Sequence, residues 1–171
     1  MITPQYVRAF SAYNAEMNQR IYAAAGRLSD EARKEGRGAF FGSIHGTLNH
    51  LLWADQMWMS RFAGWPKPEA PDKRTDRMFE HFADMQAKRA EIDSAISSWA
   101  AGVTDAWLGG TLTWFSGIAQ REVTAPRAVT VIHMFNHQTH HRGQAHAMLT
   151  AAGEQTGDTD IAFILPPSAW A

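Results

Sequence analysis

Cysteine is absent from the 171 residues. That removes disulfides, thiolate metal sites and a cysteine nucleophile together. A surplus of basic charge is absent too. Sixteen Lys and Arg face 17 Asp and Glu, for a formal net charge of −1, so nothing is left over to neutralise a phosphate backbone and nucleic acid is not an expected partner. A long apolar run is also missing. The longest uncharged stretch, residues 38–54, is interrupted by Gly38, Gly42, Gly46, His45, Asn49 and His50 and does not read as a membrane span. The first six residues, Met-Ile-Thr-Pro-Gln-Tyr, show no basic region leading into an apolar one. A soluble cytoplasmic protein with no membrane partner is the expectation. Searches for HExxH, Glu-x-x-His, a Walker loop, GxGxxG after a strand and GxSxG all fail, which argues against zincin, di-iron carboxylate, nucleotide-binding and serine hydrolase chemistry.

What remains is ordinary in bulk and unusual in two residue types. Hydrophobic residues make up 45% and charged residues 19%, a balance that suits a folded core and one domain over residues 1–171. Seven tryptophans and eight histidines stand out, and five of the histidines fall between His133 and His146.

Helical periodicity covers most of the chain. Tyr6, Phe10, Tyr13, Met17, Ile21, Ala24 and Leu28 recur every three or four residues and mark the buried face of a first long helix, with Pro4 in its first turn. Residues 30–38 read as a connection with one helical turn. A second helix over 42–62 buries Phe41, Ile44, Leu48, Leu52, Met59 and Phe62. Trp53, Met57 and Trp58 lie on its other sides, so it is either central or covered by a second subunit. Three prolines and five charged residues in 66–74 mark a surface loop. A third helix is expected over 75–101, with the stripe Phe79, Phe82, Met85, Ile92, Ile96 and Trp99. Residues 111–124 read as a β-hairpin turning at Ser116-Gly117, with its second strand from Ile118. The fourth helix spans 125–152, with Thr124 as its N-cap and Gly153 as its stop. The tail after Gly153 is expected to lie along the helices. The fold class is therefore all-α: a four-helix bundle with a short β-hairpin between helices three and four.

The chemistry sits in His133-Met-Phe-Asn-His137-Gln-Thr-His140-His141-Arg-Gly-Gln-Ala-His146. His137 and His141 are four apart, so they stack on one helix face, in line with the inward Met134 and Met148. Two inward imidazoles without a neighbouring carboxylate are better satisfied by a metal ion than by each other. His133 shares the face, but eight residues, roughly 12 Å of helix, part it from His141, too far for one ion. A third ligand must come from another helix, and the pattern leaves His45, His50 and His81 open. His140 points away, towards the surface. Arg142 is expected in an intramolecular salt bridge, and Asp55 beside a ligand or in a polar network. His133 reads first as a core residue, with a place supporting a metal ligand from behind or lining the cavity one turn from the metal as the other options. Trp53 and Trp114 are candidate pocket walls, and His45, His81 and His146 carry no expected function.

The stretch Gly42-Ser-Ile-His-Gly-Thr-Leu-Asn-His50-Leu-Leu-Trp-Ala-Asp55-Gln-Met-Trp58 resembles the second-helix motif of the DinB-like (YfiT-like) metalloenzyme family. His133-Met-Phe-Asn-His137-Gln-Thr-His-His141-Arg-Gly-Gln144 is similar to its fourth-helix motif, and the likeness runs over nearly the whole chain. The resemblance implies a divalent metal ion, Zn or Ni first and Fe after them, held by His50, His137 and His141, and it implies a homodimer. It also implies a thiol-dependent S-transferase or isomerase that joins a low-molecular-weight thiol to a small electrophilic substrate.

Three neutral imidazoles would leave such an ion its full charge and an open position. That acidifies either a bound thiol, whose free pKa is about 8.5, or a bound water. Metal-dependent hydrolysis is therefore the alternative, and a non-catalytic metal- or ligand-binding stress-response protein is the third reading. A fourth ligand from His45 or Asp55 would mark a closed, structural site.

Overall fold

The computed structural model describes residues 1–117 and 119–169. The chain is mostly helical, with one two-stranded antiparallel sheet. In order it forms α1 (Pro4–Arg27), α2 (Asp30–Lys34), α3 (Ile44–Ala63), α4 (Phe82–Ala101), α5 (Asp105–Leu108), β1 (Thr111–Ser116), β2 (Arg121–Pro126), α6 (Arg127–Ala151) and α7 (Ile161–Ile164). Short 3-10 turns lie at Pro71–Lys73, Thr75–Arg77 and Pro167–Ala169. Among the described residues no helix is long and apolar enough to cross a membrane.

Hydroxyl caps set several helix starts. Thr3 accepts from the Tyr6 amide at 3.2 Å, Ser43 from Gly46 at 3.0 Å and Thr104 from Trp107 at 3.1 Å, each pairing an amide that has no partner inside its helix. The long helices α1, α3, α4 and α6 pack on one another, with α1 between α4 and α6 and α3 against the same two. One hydrophobic cluster joins them. Val7 and Ile21, Leu48 and Leu52, Ile92 and Ile96, and Val131 and Met134 are all at most 4% exposed.

Four boundaries differ from the sequence expectation, each for a local reason. The second long helix starts at Ile44, not at Gly42, because Gly42 has φ 75° and Ser43 takes the cap. The third starts at Phe82, not at Thr75. Asn49 of α3 accepts from the Phe79 amide at 2.7 Å and donates to the Phe79 carbonyl at 3.1 Å, and His45 Nε2 donates to that carbonyl at 2.8 Å. Those bonds hold residues 78–81 out of the helix. The hairpin pairs Ser116 with Arg121, so its connection is four residues long and not a Ser-Gly turn of two; Ile118, expected to open the second strand, lies outside the described residues. Thr124 does not cap the fourth helix. It stays in β2 opposite Thr113, hydroxyl to hydroxyl at 2.8 Å, and the helix begins at Arg127.

The tail lies along α1, as expected. Tyr13 donates its hydroxyl to the Thr159 carbonyl at 2.6 Å, Arg27 pairs with Glu154 at 2.6 Å, and the buried Thr156 hydroxyl meets His146 Nδ1 at 2.7 Å. Four of the tryptophans meet aromatic neighbours within the chain. Trp99 stacks on Phe62 at 5.5 Å, Trp107 meets it edge-on at 5.8 Å, and Trp114 of β1 covers Trp58 of α3 at 5.7 Å.

Candidate metal centre

His50 lies in the second turn of α3, while His137 and His141 stand one turn apart in α6. Because α3 and α6 pack together, the three imidazoles meet across a sequence gap of 87 residues. One ring nitrogen from each lies within 4.8 Å of the other two. Nε2 of His50 is 3.2 Å from Nε2 of His137, and the ring centroids of His137 and His141 are 4.5 Å apart.

Two of the rings are oriented from behind. His50 Nδ1 meets the Thr75 hydroxyl at 2.9 Å, and His141 Nδ1 donates to Gln144 Oε1 at 2.8 Å. The bond to Gln144 places the proton of His141 on Nδ1 and leaves its Nε2 as a lone pair, and the Thr75 hydroxyl engages Nδ1 of His50 so that its Nε2 faces the cluster. Thr75 reaches His50 from the 3-10 turn Thr75–Arg77, which packs on α3.

Phe41 closes one side, stacked on His50 with centroids 3.8 Å apart and 5.2 Å from His141. A side chain at Gly46 would collide with the Phe41 carbonyl oxygen. Glycine at this position is what lets the segment before α3 fold back over His50.

The electrostatics favour neutral imidazoles. Burial first, then the nearby His137 and His141, push His50 down to about 3. Burial first, then His141, His133 and His140, push His137 down to about 4, and burial lowers His141. The cluster thus presents lone pairs at neutral pH, the form that binds a metal ion. The spacing of one nitrogen pair fits an ion as well. Two nitrogens each about 2.05 Å from a tetrahedral ion stand about 3.3 Å apart, close to the separation of His50 and His137.

The DinB family pattern matches residues 1–167. The chain belongs to the DinB family. A DinB-like protein from Bacillus cereus ATCC 10987, known from a crystal structure, is similar in fold, with a TM-score of 0.65 at 18% identity over 85% of this chain and 90% of that one. No curated protein matches the chain.

In this DinB-family chain the other sequence candidates take distinct places. His45 is tied to the Phe79 carbonyl and His146 to Thr156. His81 stands just before α4 and makes no side-chain cap. His140 is exposed and touches Gln144 at 3.4 Å. His133 is not a core residue: it is exposed, edge-on to Trp58 at 5.0 Å, and lines a cavity with Trp53 and Trp114.

Asp55 belongs to a buried polar network directly behind α6. It pairs with Arg89 of α4 at 2.7 Å and accepts from Gln138. Arg89 also pairs with Asp93 at 2.7 Å, and Asn18 of α1 donates to Asp93 at 2.9 Å. Among the described residues Arg142 does not form the expected salt bridge. It donates to Asn14 and, at 3.5 Å, to Gln138, and burial lowers its pKa to about 10.

Sequence reasoning missed Thr75, Gln144 and the lid position of Phe41. It also missed Arg89 and Gln138. Only Arg89 left a sequence signal, since it falls on the apolar stripe of α4 between Met85 and Ile92.

Proposed function

We propose that His50, His137 and His141 hold one divalent cation through Nε2, Zn or Ni before Fe, at the core of a four-helix bundle. We further propose that the chain is a transferase or isomerase acting with a low-molecular-weight thiol on a small electrophile. The observation that carries this reading is the convergence of three neutral ring nitrogens within 4.8 Å beside a cavity of about 970 Å³. The candidates for a fourth protein ligand are engaged elsewhere: His45 holds the Phe79 carbonyl and Asp55 the Arg89 guanidinium. That supports an open position and therefore catalysis over a closed structural site.

A cation bound by three neutral imidazoles supplies acidification of a thiol at neutral pH. The chain's own residues do the rest. Thr75 and Gln144 hold Nδ1 of His50 and His141 and fix the ring planes. Phe41 keeps water from the outer face of His50, and Trp53, 6.0 Å from His50 between ring centroids, walls the side facing the cavity.

The test is cobalt substitution in tag-free protein, followed by titration with low-molecular-weight thiols. A sulfur-to-cobalt charge-transfer band and conjugation of an electrophile that needs both metal and thiol are expected. Unchanged spectra with metal-dependent ester hydrolysis would replace this reading with the hydrolase one.

We also propose a homodimer, supported by apolar side chains left at the surface: Phe40 is 81% exposed and Phe163 86%. Light scattering at micromolar concentration should give twice the mass of one chain, and a monomer would refute it.

A further inference from the structure

The cavity beside the histidines lies between α3, the start of α6 and the hairpin. Trp53, Trp58 and Trp114 wall it with aromatic surface. It begins next to the metal centre, because the His133 ring, in its lining, is 5.8 Å from the His137 ring. Its volume of about 970 Å³ is at the upper end for a small-molecule site.

Its charge is of one sign. Arg61 and Lys67 line the cavity, and among the described residues no Asp or Glu does. The Arg61 guanidinium lies over Trp58, 4.5 Å from the ring centroid, and 5.4 Å from that of Trp114. Burial pushes its pKa down, and no acidic neighbour pulls it back up. A guanidinium placed over aromatic rings makes no hydrogen bond to them, and its N–H groups can take a carboxylate with two parallel hydrogen bonds.

We infer that this cavity binds a small aromatic carboxylate, its ring among the three tryptophans and its carboxylate on Arg61. This names the class of the electrophilic substrate, and it rests on the proposed thiol reaction only for what happens to the ligand after it binds. Carboxylate recognition by Arg61 holds one end of the molecule while the other reaches the histidine cluster past His133.

The experiment is calorimetric titration of the full chain with 2-naphthoate and with uncharged 2-naphthamide, before and after removal of metal by a chelator. Naphthoate should bind once per chain and about tenfold or more tighter than the amide, the worth of a charge-assisted hydrogen bond, and chelation should leave that ratio in place. Arg61→Gln should remove the preference and leave naphthamide binding within about twofold, while Arg61→Lys should keep part of it. Equal affinities for the two probes, no binding of either, or naphthoate binding that vanishes with the metal would overturn the inference. Should Arg61→Gln fail to fold by circular dichroism, the ratio in the unsubstituted protein still decides. Failure of the metal reading would appear separately, as protein that takes up no cation yet keeps its preference for naphthoate.

Discussion

Replacing His137 by alanine should abolish binding of a divalent cation at micromolar concentration, read by elemental analysis of tag-free protein after loading with zinc or nickel. His137 supplies one of three nitrogens that lie within 4.8 Å of one another, and two imidazoles cannot complete the site. His50→Ala and His141→Ala should behave alike. Thr75→Val removes the hydroxyl behind His50 but leaves all three imidazoles, so a loss of about 10- to 100-fold in affinity is expected. His146→Ala, at a residue that serves the tail, should change nothing. Retention of one equivalent of metal by His137→Ala would refute the site.

Acid adds a second reading of the same cluster. His50 and His137 are depressed to about 3 and about 4, against about 6.5 in an unfolded chain. Between these values the unfolded chain binds the protons and the folded chain does not. The stability of the metal-free protein is therefore fully present above about pH 6.5 and falls as the pH drops through that window, by up to about 2.7 kcal/mol per pH unit for two groups. A metal-free protein equally stable at pH 7 and pH 4.5 in urea titrations would contradict this. Metal shifts the loss to lower pH, because protons must then displace the ion.

Arg89→Met should cost about 3–5 kcal/mol of folding stability at pH 7, because it strands two buried carboxylates. Asp55 and Asp93 both pair with that guanidinium at 2.7 Å, and Asp55 and Arg89 are 1% and 2% exposed. The pH dependence tells this loss from a simple packing defect. Burial already raises Asp93 to about 6 and raises Asp55, with Arg89 pulling both down. Without the guanidinium, both carboxyls take up protons on folding. The variant therefore regains part of its deficit as the pH falls from 7 to 5, where the folded chain binds more protons than the unfolded one. A deficit that stays constant over that range would mean that lost packing, not stranded charge, carries the effect. Replacing Asp55, Arg89 and Asp93 together by apolar residues should restore much of the stability, since a buried ion network is costly to break and cheap to replace.

The His137–His141 pair on α6 was legible because it depends on one helix alone. Four residues make about one turn, so His137 and His141 share a face wherever the helix sits. The long helices were legible for the same reason, from stripes such as Met85, Ile92 and Ile96. The place of His50 is a different matter. Periodicity left it level with His45 and His81, and the family motif singled it out. The structure gives the physical distinction: Asn49 and His45 grip the backbone of Phe79, which turns His45 to that loop, while His50 faces α6.

Local sequence thus determined the long helices, the inward line of α6 and the absence of thiolate ligands. Tertiary structure decided whatever depends on segments far apart in the chain. Thr75 reaches His50 from a turn whose residues carry helix-compatible periodicity, so only the bonds from α3 reveal that they are not helical. Arg89 interrupts the apolar stripe of α4, and only the fold shows that Asp55, 34 residues away, and Asp93 face it. Trp53 and Trp58 looked surplus to one core until the hairpin folded over them and made a cavity. Periodicity records which way a residue points on its own helix. What stands opposite it is fixed by how the helices pack, and in this protein that packing brings His50 to the His137–His141 pair and leaves Arg61 without an acid among the described residues.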